Sequence, residues 1–149
     1  MIPFPRTNLA TPPPIGSTTP NTGAFTTLSN SGIQTATGGV DMTITTHSAT
    51  EAVAAATMHG NDHIITGAYT VTLPAAVLKM RATFRCTTAA IASIDSTAPD
   101  AFVLGGTALT AGNKITSDGV AGSEVELVCL TANQWTVRNV TGLFIDGGA

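Results

Sequence analysis

The sequence predicts a mainly β protein, with an extended N-terminal arm followed by a compact, sandwich- or barrel-like knob that carries one short helix. Three observations predict it. From Ile64 onward, apolar and threonine residues alternate in short runs separated by glycine-containing turns, the pattern of half-buried strands. Charged residues make up only 10% of the 149, against about 25% in an average soluble protein, while hydrophobic residues hold an ordinary 43%. Threonine fills much of the gap, and its β-branched side chain suits a pleated surface. Before about Gly39, prolines and threonines dominate and apolar residues are scattered, so that stretch cannot bury a core of its own.

The arm, residues 1–39, contains Pro12-Pro13-Pro14-Ile15-Gly16-Ser17-Thr18-Thr19-Pro20, repeated helix breakers that favour an extended backbone. Its apolar residues Ile2, Phe4, Leu9, Ile15, Phe25 and Leu28 are spaced as separate anchors. Such side chains gain from burial only when a partner covers them. The knob, residues 40–149, starts with a predicted strand over Val40–Thr46. Ser48-Ala49-Thr50-Glu51 then has capping-box spacing, Ala52–Met58 are good helix formers and Gly60 supplies a stop, which together predict a helix of about ten residues. Further strands are predicted at Ile65–Pro74, with Tyr69, Val71 and Leu73 inward, and at Ala82–Thr87, Ala90–Asp95, Ala101–Leu104, Glu124–Leu130 and Gln134–Val140. Gly105-Gly106, Ala111-Gly112-Asn113 and Asp118-Gly119 are turn chemistry. Val125, Leu127 and Cys129 give the Glu124–Leu130 strand one apolar face, and Val128 and Leu130 stand on the other beside Glu126. A strand apolar on both faces has to be covered on both, which argues for self-association.

Composition and motif content exclude several function classes. A net charge of −3, with Lys79, Arg81 and Arg85 as the one local basic cluster, leaves no electrostatic footprint for nucleic acid. No apolar run approaches the roughly 20 residues of a membrane helix, and Met1–Arg6 has no secretory apolar region, so no membrane partner is expected. Cys86 and Cys129 sit in strand patterns and read as small buried hydrophobes. His59 and His63 have i, i+4 spacing, with His47 and Asp62 near enough to join them on a metal, but Gly60-Asn61-Asp62 reads as a turn and no metal or other cofactor is expected. Nucleophile-elbow, Walker and dinucleotide motifs are absent. Two of Asp95, Asp100, Asp118, Glu124 and Glu126 would satisfy glycoside hydrolysis on paper, but any β protein offers such pairs, and one Trp, one Tyr and five Phe make a poor sugar platform. Trp135 reads as core.

Pro14-Ile15-Gly16-Ser17-Thr18-Thr19-Pro20-Asn21-Thr22-Gly23-Ala24-Phe25-Thr26-Thr27-Leu28 resembles a linker that precedes β-rich modules in tail fibres and other virion proteins of tailed bacteriophages. Gly67–Ala76, Val125–Leu130 and Gln134–Val137 are similar to segments of phage fibre and surface modules. The resemblance implies a trimeric, non-enzymatic β domain in a virion. A chain of this length fits a capsid decoration or cement protein better than a long fibre, with the arm laid across the shell. The expected partners are a second and third copy of the chain, the major capsid protein and neighbouring trimers. Phe4, Ile15, Phe25 and Leu28 are the expected anchoring contacts. The expected location is the capsid surface, after synthesis in the host cytoplasm. The runner-up expectation is a short tail-fibre or baseplate appendage that binds host-surface glycans, and the third is a small polysaccharide hydrolase.

Overall fold

The computed structural model describes residues 43–149, which fall within the unit Val40–Ala149. The arm with Phe4, Ile15, Phe25 and Leu28, and the start of the strand predicted from Val40, lie outside the described residues. The described chain is mainly β. Its strands are β1 (Ile44–His47), β2 (Glu51–Ala52), β3 (His59–Ile65), β4 (Thr70–Thr72), β5 (Arg81–Cys86), β6 (Ser93–Asp95), β7 (Ala101–Leu104), β8 (Thr107–Ala108), β9 (Lys114–Ser117), β10 (Glu124–Thr131), β11 (Gln134–Thr141) and β12 (Phe144–Gly148). They form a seven-stranded sheet in the order β1-β3-β5-β10-β11-β7-β8 and a five-stranded sheet in the order β12-β9-β6-β4-β2.

The first six strands alternate between the two sheets, and within each sheet they lie parallel, β1-β3-β5 in one and β2-β4-β6 in the other. The chain therefore winds as a stacked coil of about 20 residues per turn, at the short end of the range for repeat units. Thr45 lies beside His63, and His63 beside Phe84, while Glu51 lies beside Val71, and Val71 beside Ile94. The winding then stops. The antiparallel hairpin β10–β11 enters the larger sheet between β5 and β7, and β9 closes antiparallel on β6 in the smaller one.

One core fills the space between the sheets. Val71, Ile94, Ile115 and Phe144 from the smaller sheet and Ile65, Phe84, Phe102, Leu127 and Trp135 from the larger are fully buried. The two-residue period places them there: Ala82, Phe84 and Cys86 of β5 point inward while Arg81 and Arg85 are exposed, and Val125, Leu127 and Cys129 of β10 point inward. Each large apolar side chain so buried contributes about 1.5–3 kcal/mol relative to exposure.

Several strands match their predicted positions, Ala101–Leu104 residue for residue. The helix predicted from the capping box does not form. Glu51 and Ala52 instead pair in parallel with Val71 and Thr72, and the Val53 N–H donates to the Thr72 carbonyl at 2.8 Å. A partner strand from the next turn of the coil outweighs the local helix propensity, and what remains is one 3-10 turn at Ala55–Thr57. Gly60 is not a helix stop but lies within β3, at a φ of 87° beside a register shift between His59 and Asn61. The single strand predicted over Ile65–Pro74 is divided. Thr66–Ala68 makes a corner, the Tyr69 N–H folds back to the Gly67 carbonyl at 2.8 Å, and the chain crosses from one sheet to the other. Val71 and Leu73 are nonetheless buried, as expected of the inward face. β9 and β12 were not predicted, because Lys-Ile-Thr-Ser offers one apolar residue and Phe144–Gly148 ends in glycines.

Candidate functional site

Polar side chains inside a β core are the first place to look for chemistry, since each must find partners there. His47, at the end of β1, and His63, in β3, both point inward and are 2% and 0% exposed. Their rings lie with centroids 5.2 Å apart and nearly parallel, and the His63 ring stacks in turn on Phe84 at 4.6 Å. His47 Nε2 is 2.9 Å from His63 Nδ1. The outer nitrogens are also engaged: His47 Nδ1 meets Glu51 Oε1 at 2.8 Å, and His63 Nε2 meets the Thr57 carbonyl at 3.1 Å. Burial lowers the pKa of His63, with the charge of His47 acting in the same direction and the Thr57 carbonyl and Asp62 against it. The strand periodicity accounts for the geometry. His63 is in phase with Ile65 on the inner face, while His59 and Asp62 are exposed.

The four residues considered for a metal thus separate, two into the core and two to the surface. Among the described residues no group of three or more His, Cys, Asp or Glu is placed to hold a metal ion. Sequence reasoning missed the role of Glu51, which was assigned to a helix cap. The usable signal was His63 standing in phase with Ile65 on a strand face.

The carboxylates considered for sugar hydrolysis are engaged in the fold. On the outer face of the larger sheet Glu126 pairs with Arg81 and Arg138, and Glu124 with Arg85, whose Nε donates to Glu124 Oε2 at 2.6 Å. Ile44, Asp62, Ile64, Thr83, Arg85 and Glu124 line a shallow depression on that face. Asp95 accepts the Thr97 N–H at 3.2 Å. Asp100, 3% exposed, accepts the Ala76 N–H at 2.7 Å through Oδ2, and its Oδ1 has no hydrogen-bond partner among the described residues. Asp118 accepts from Ser123 Oγ at 2.6 Å, from the Val120 N–H at 3.1 Å and from the Leu143 N–H at 3.1 Å, and these donors hold its carboxyl below the usual range. The two cysteines are buried and free, with thiol pKa values raised chiefly by that burial, as suits small core hydrophobes. Trp135 is fully buried beside Phe102.

No family model matches the chain, and neither curated proteins nor solved structures give a match. The functional reading therefore rests on the residues and their arrangement. Among the described residues, besides Ile44 on β1 and Ile145 on β12, six large apolar side chains are exposed in two groups at opposite ends of the β5–β10 pair, where Arg81 lies across from Val128 and Arg85 from Glu124. Val77 and Leu78 precede Lys79, whose N–H donates to the Cys129 carbonyl next to Leu130, and the three apolar residues are 56%, 53% and 58% exposed. Ile91, Val120 and Leu143 stand around Asp118 and Gly119 at the other end.

Proposed function

We propose that this chain is a non-enzymatic structural subunit of a tailed-bacteriophage virion, a homotrimeric decoration or cement protein whose arm anchors it to the assembled head. The observation that carries the proposal is the distribution of exposed apolar side chains on a knob whose carboxylates are engaged in holding strands and turns together. Apolar side chains that are half exposed or more and grouped at the two ends of the β5–β10 pair, on a chain with 10% charged residues, make surface suited to a neighbour. The linker-like string through Phe25-Thr26-Thr27-Leu28 supports the virion setting. A subunit that binds only the assembled shell stabilises it by mass action.

The test is copy number per purified particle, by quantitative mass spectrometry against the major capsid protein. Decoration expects near-stoichiometric abundance. In parallel, the full chain with Phe4, Ile15, Phe25 and Leu28 replaced by serine should remain trimeric and lose particle binding. Retained binding would remove the anchoring role.

A second reading, a short tail-fibre or baseplate appendage, is favoured by one feature. Among the described residues β1 and β2 stand at the parallel edges of the two sheets, to which further coils can be added as in an elongated shaft. That reading expects a few tens of copies or fewer and binding to host-envelope glycans.

A further inference from the structure

The buried histidine pair has a proton count fixed by its neighbours. The Thr57 carbonyl can only accept, so His63 Nε2 must carry a proton. The Glu51 carboxylate likewise accepts, so His47 Nδ1 must carry one. If both rings were neutral, the two remaining nitrogens, His47 Nε2 and His63 Nδ1, would face each other with bare lone pairs at 2.9 Å. A third proton between them makes all three contacts hydrogen bonds. A fourth would set two N–H groups against each other.

We propose that His47 and His63 share a single excess proton, held as an imidazolium on His47 between Glu51 and His63, and that this pair is a pH-sensitive latch fastening the first turn of the coil to the knob. The groups acting on it come from every element packed against it. β2 supplies the Glu51 carboxylate, 46% exposed on its side chain, and the 3-10 turn supplies the Thr57 carbonyl. β3 supplies Asp62, exposed and acting on His63 through its charge, and β5 supplies the apolar ring of Phe84. His63 is the neutral acceptor of the pair, which agrees with the downward shift that burial imposes on it. The latch crosses between β1, β2, β3 and the turn, so its loss loosens the edge of both sheets together.

The direction of the pH dependence follows from proton counting. In the unfolded chain each histidine titrates near 6.5, so the two together hold about one proton at that pH. The folded pair also holds one. As pH falls below this point the unfolded chain binds more protons than the folded pair, and stability is lost. As pH rises above it the unfolded chain binds fewer, and stability is lost again until the folded pair gives up its proton, beyond which the two states bind equally. The latch is strongest near pH 6.5 and weakens on both sides.

The experiment is histidine-ring ¹⁵N NMR on the full chain from pH 5 to 9, with amide exchange read at Thr66, which donates to the His47 carbonyl, and at Val53, which donates to the Thr72 carbonyl. The expected result at pH 6.5 is one ring protonated on both nitrogens and one neutral ring protonated on Nε2. Protection of Thr66 and Val53 should fall by up to about tenfold per pH unit above pH 6.5 while the folded pair keeps its proton, and level off once the proton leaves the pair. Glu51→Gln removes the counter-charge from an accessible position and should lower the pH at which the pair gives up its proton, and protection levels off, by about one unit. Two rings titrating independently near 6.5, or a Glu51→Gln titration that superposes on the parent curve, would overturn the latch.

Discussion

Trp135 shows how much one side chain can hold in a knob this small. Fully buried and paired in parallel register with Phe102, it joins the inserted hairpin to β7. Trp135→Ala should cost about 3–5 kcal/mol, read as a lower urea midpoint at unchanged slope, because the vacated volume lies between sheets that cannot collapse onto it. Gly142 is a second sensitive position. Its φ is 69°, and an added Cβ would strike the Ser123 hydroxyl that donates to Asp118. Gly142→Ala should therefore combine left-handed backbone strain with loss of that hydrogen bond, and lower the melting temperature. Asp118 itself sets a pH dependence of known sign. Because the folded pKa is depressed, its contribution is present above the unfolded carboxylate range and is lost as pH falls through the folded value. Asp118→Asn should flatten that acid limb in a melting-temperature series between pH 2 and 5.

At the scale of elements, stability should rise from the edge of the coil to the inserted hairpin. Among the described residues β1 pairs on one side only and β2 is two exposed residues long, whereas β10 is paired on both sides along most of its length. Native-state hydrogen exchange should find the slowest amides in β5, β10 and β11 and the fastest in β1 and β2. Uniform protection across the larger sheet would contradict this ordering. The same elements show what was legible in the sequence. β5, β10 and β11 could be read because each alternates apolar residues with charged or polar ones, and β7 as a short apolar run ended by Gly105-Gly106, and the core residues Leu127 and Trp135 came with them. The segment Ser48–Met58 was misread because its alanines favour a helix locally, while the strand that overrides them is contributed by Val71 and Thr72, on the next turn of the coil. β9 was invisible for a related reason: its Ser117 is buried but satisfied, receiving the Ala92 N–H at 3.0 Å and donating to the Ala90 carbonyl at 3.3 Å. Long-range pairing leaves little mark on a local pattern. The histidine pair was half legible, since His63 keeps strand phase with Ile65, but nothing in the spacing of His47 and Glu51 shows that His47 meets His63 and Glu51 meets His47.

For the whole molecule, the proposed trimer can be tested on the two apolar groups, which differ in what surrounds them. At the other group Val120 and Leu143 donate their N–H groups to Asp118, with Ile91 beside Gly119; the depressed pKa of Asp118 keeps it ionised across the neutral range, and covering an ionised carboxylate carries a desolvation cost. Near Val77, Leu78 and Leu130 the carboxylates are already covered or paired, Asp100 being buried with the Ala76 N–H on its Oδ2 and Glu126 pairing with Arg81 and Arg138, while Lys79 has a long stem that can lie along apolar surface with its ammonium in water. On the trimer reading, self-association should therefore use the Val77, Leu78 and Leu130 group. Leu78→Ser with Leu130→Ser should shift the full chain from trimer to monomer in analytical ultracentrifugation. Both residues are more than half exposed, so at a concentration where the parent is also monomeric the fold should lose no more than about 1 kcal/mol for the two together. Val120→Ser with Leu143→Ser serves as the matched control and should leave the trimer intact. Should the control dissociate instead, the seam lies at the Asp118 end and its carboxylate must be covered or protonated there. If neither pair changes the mass, the knob does not self-associate through either apolar group, and the trimer has to be sought in the arm.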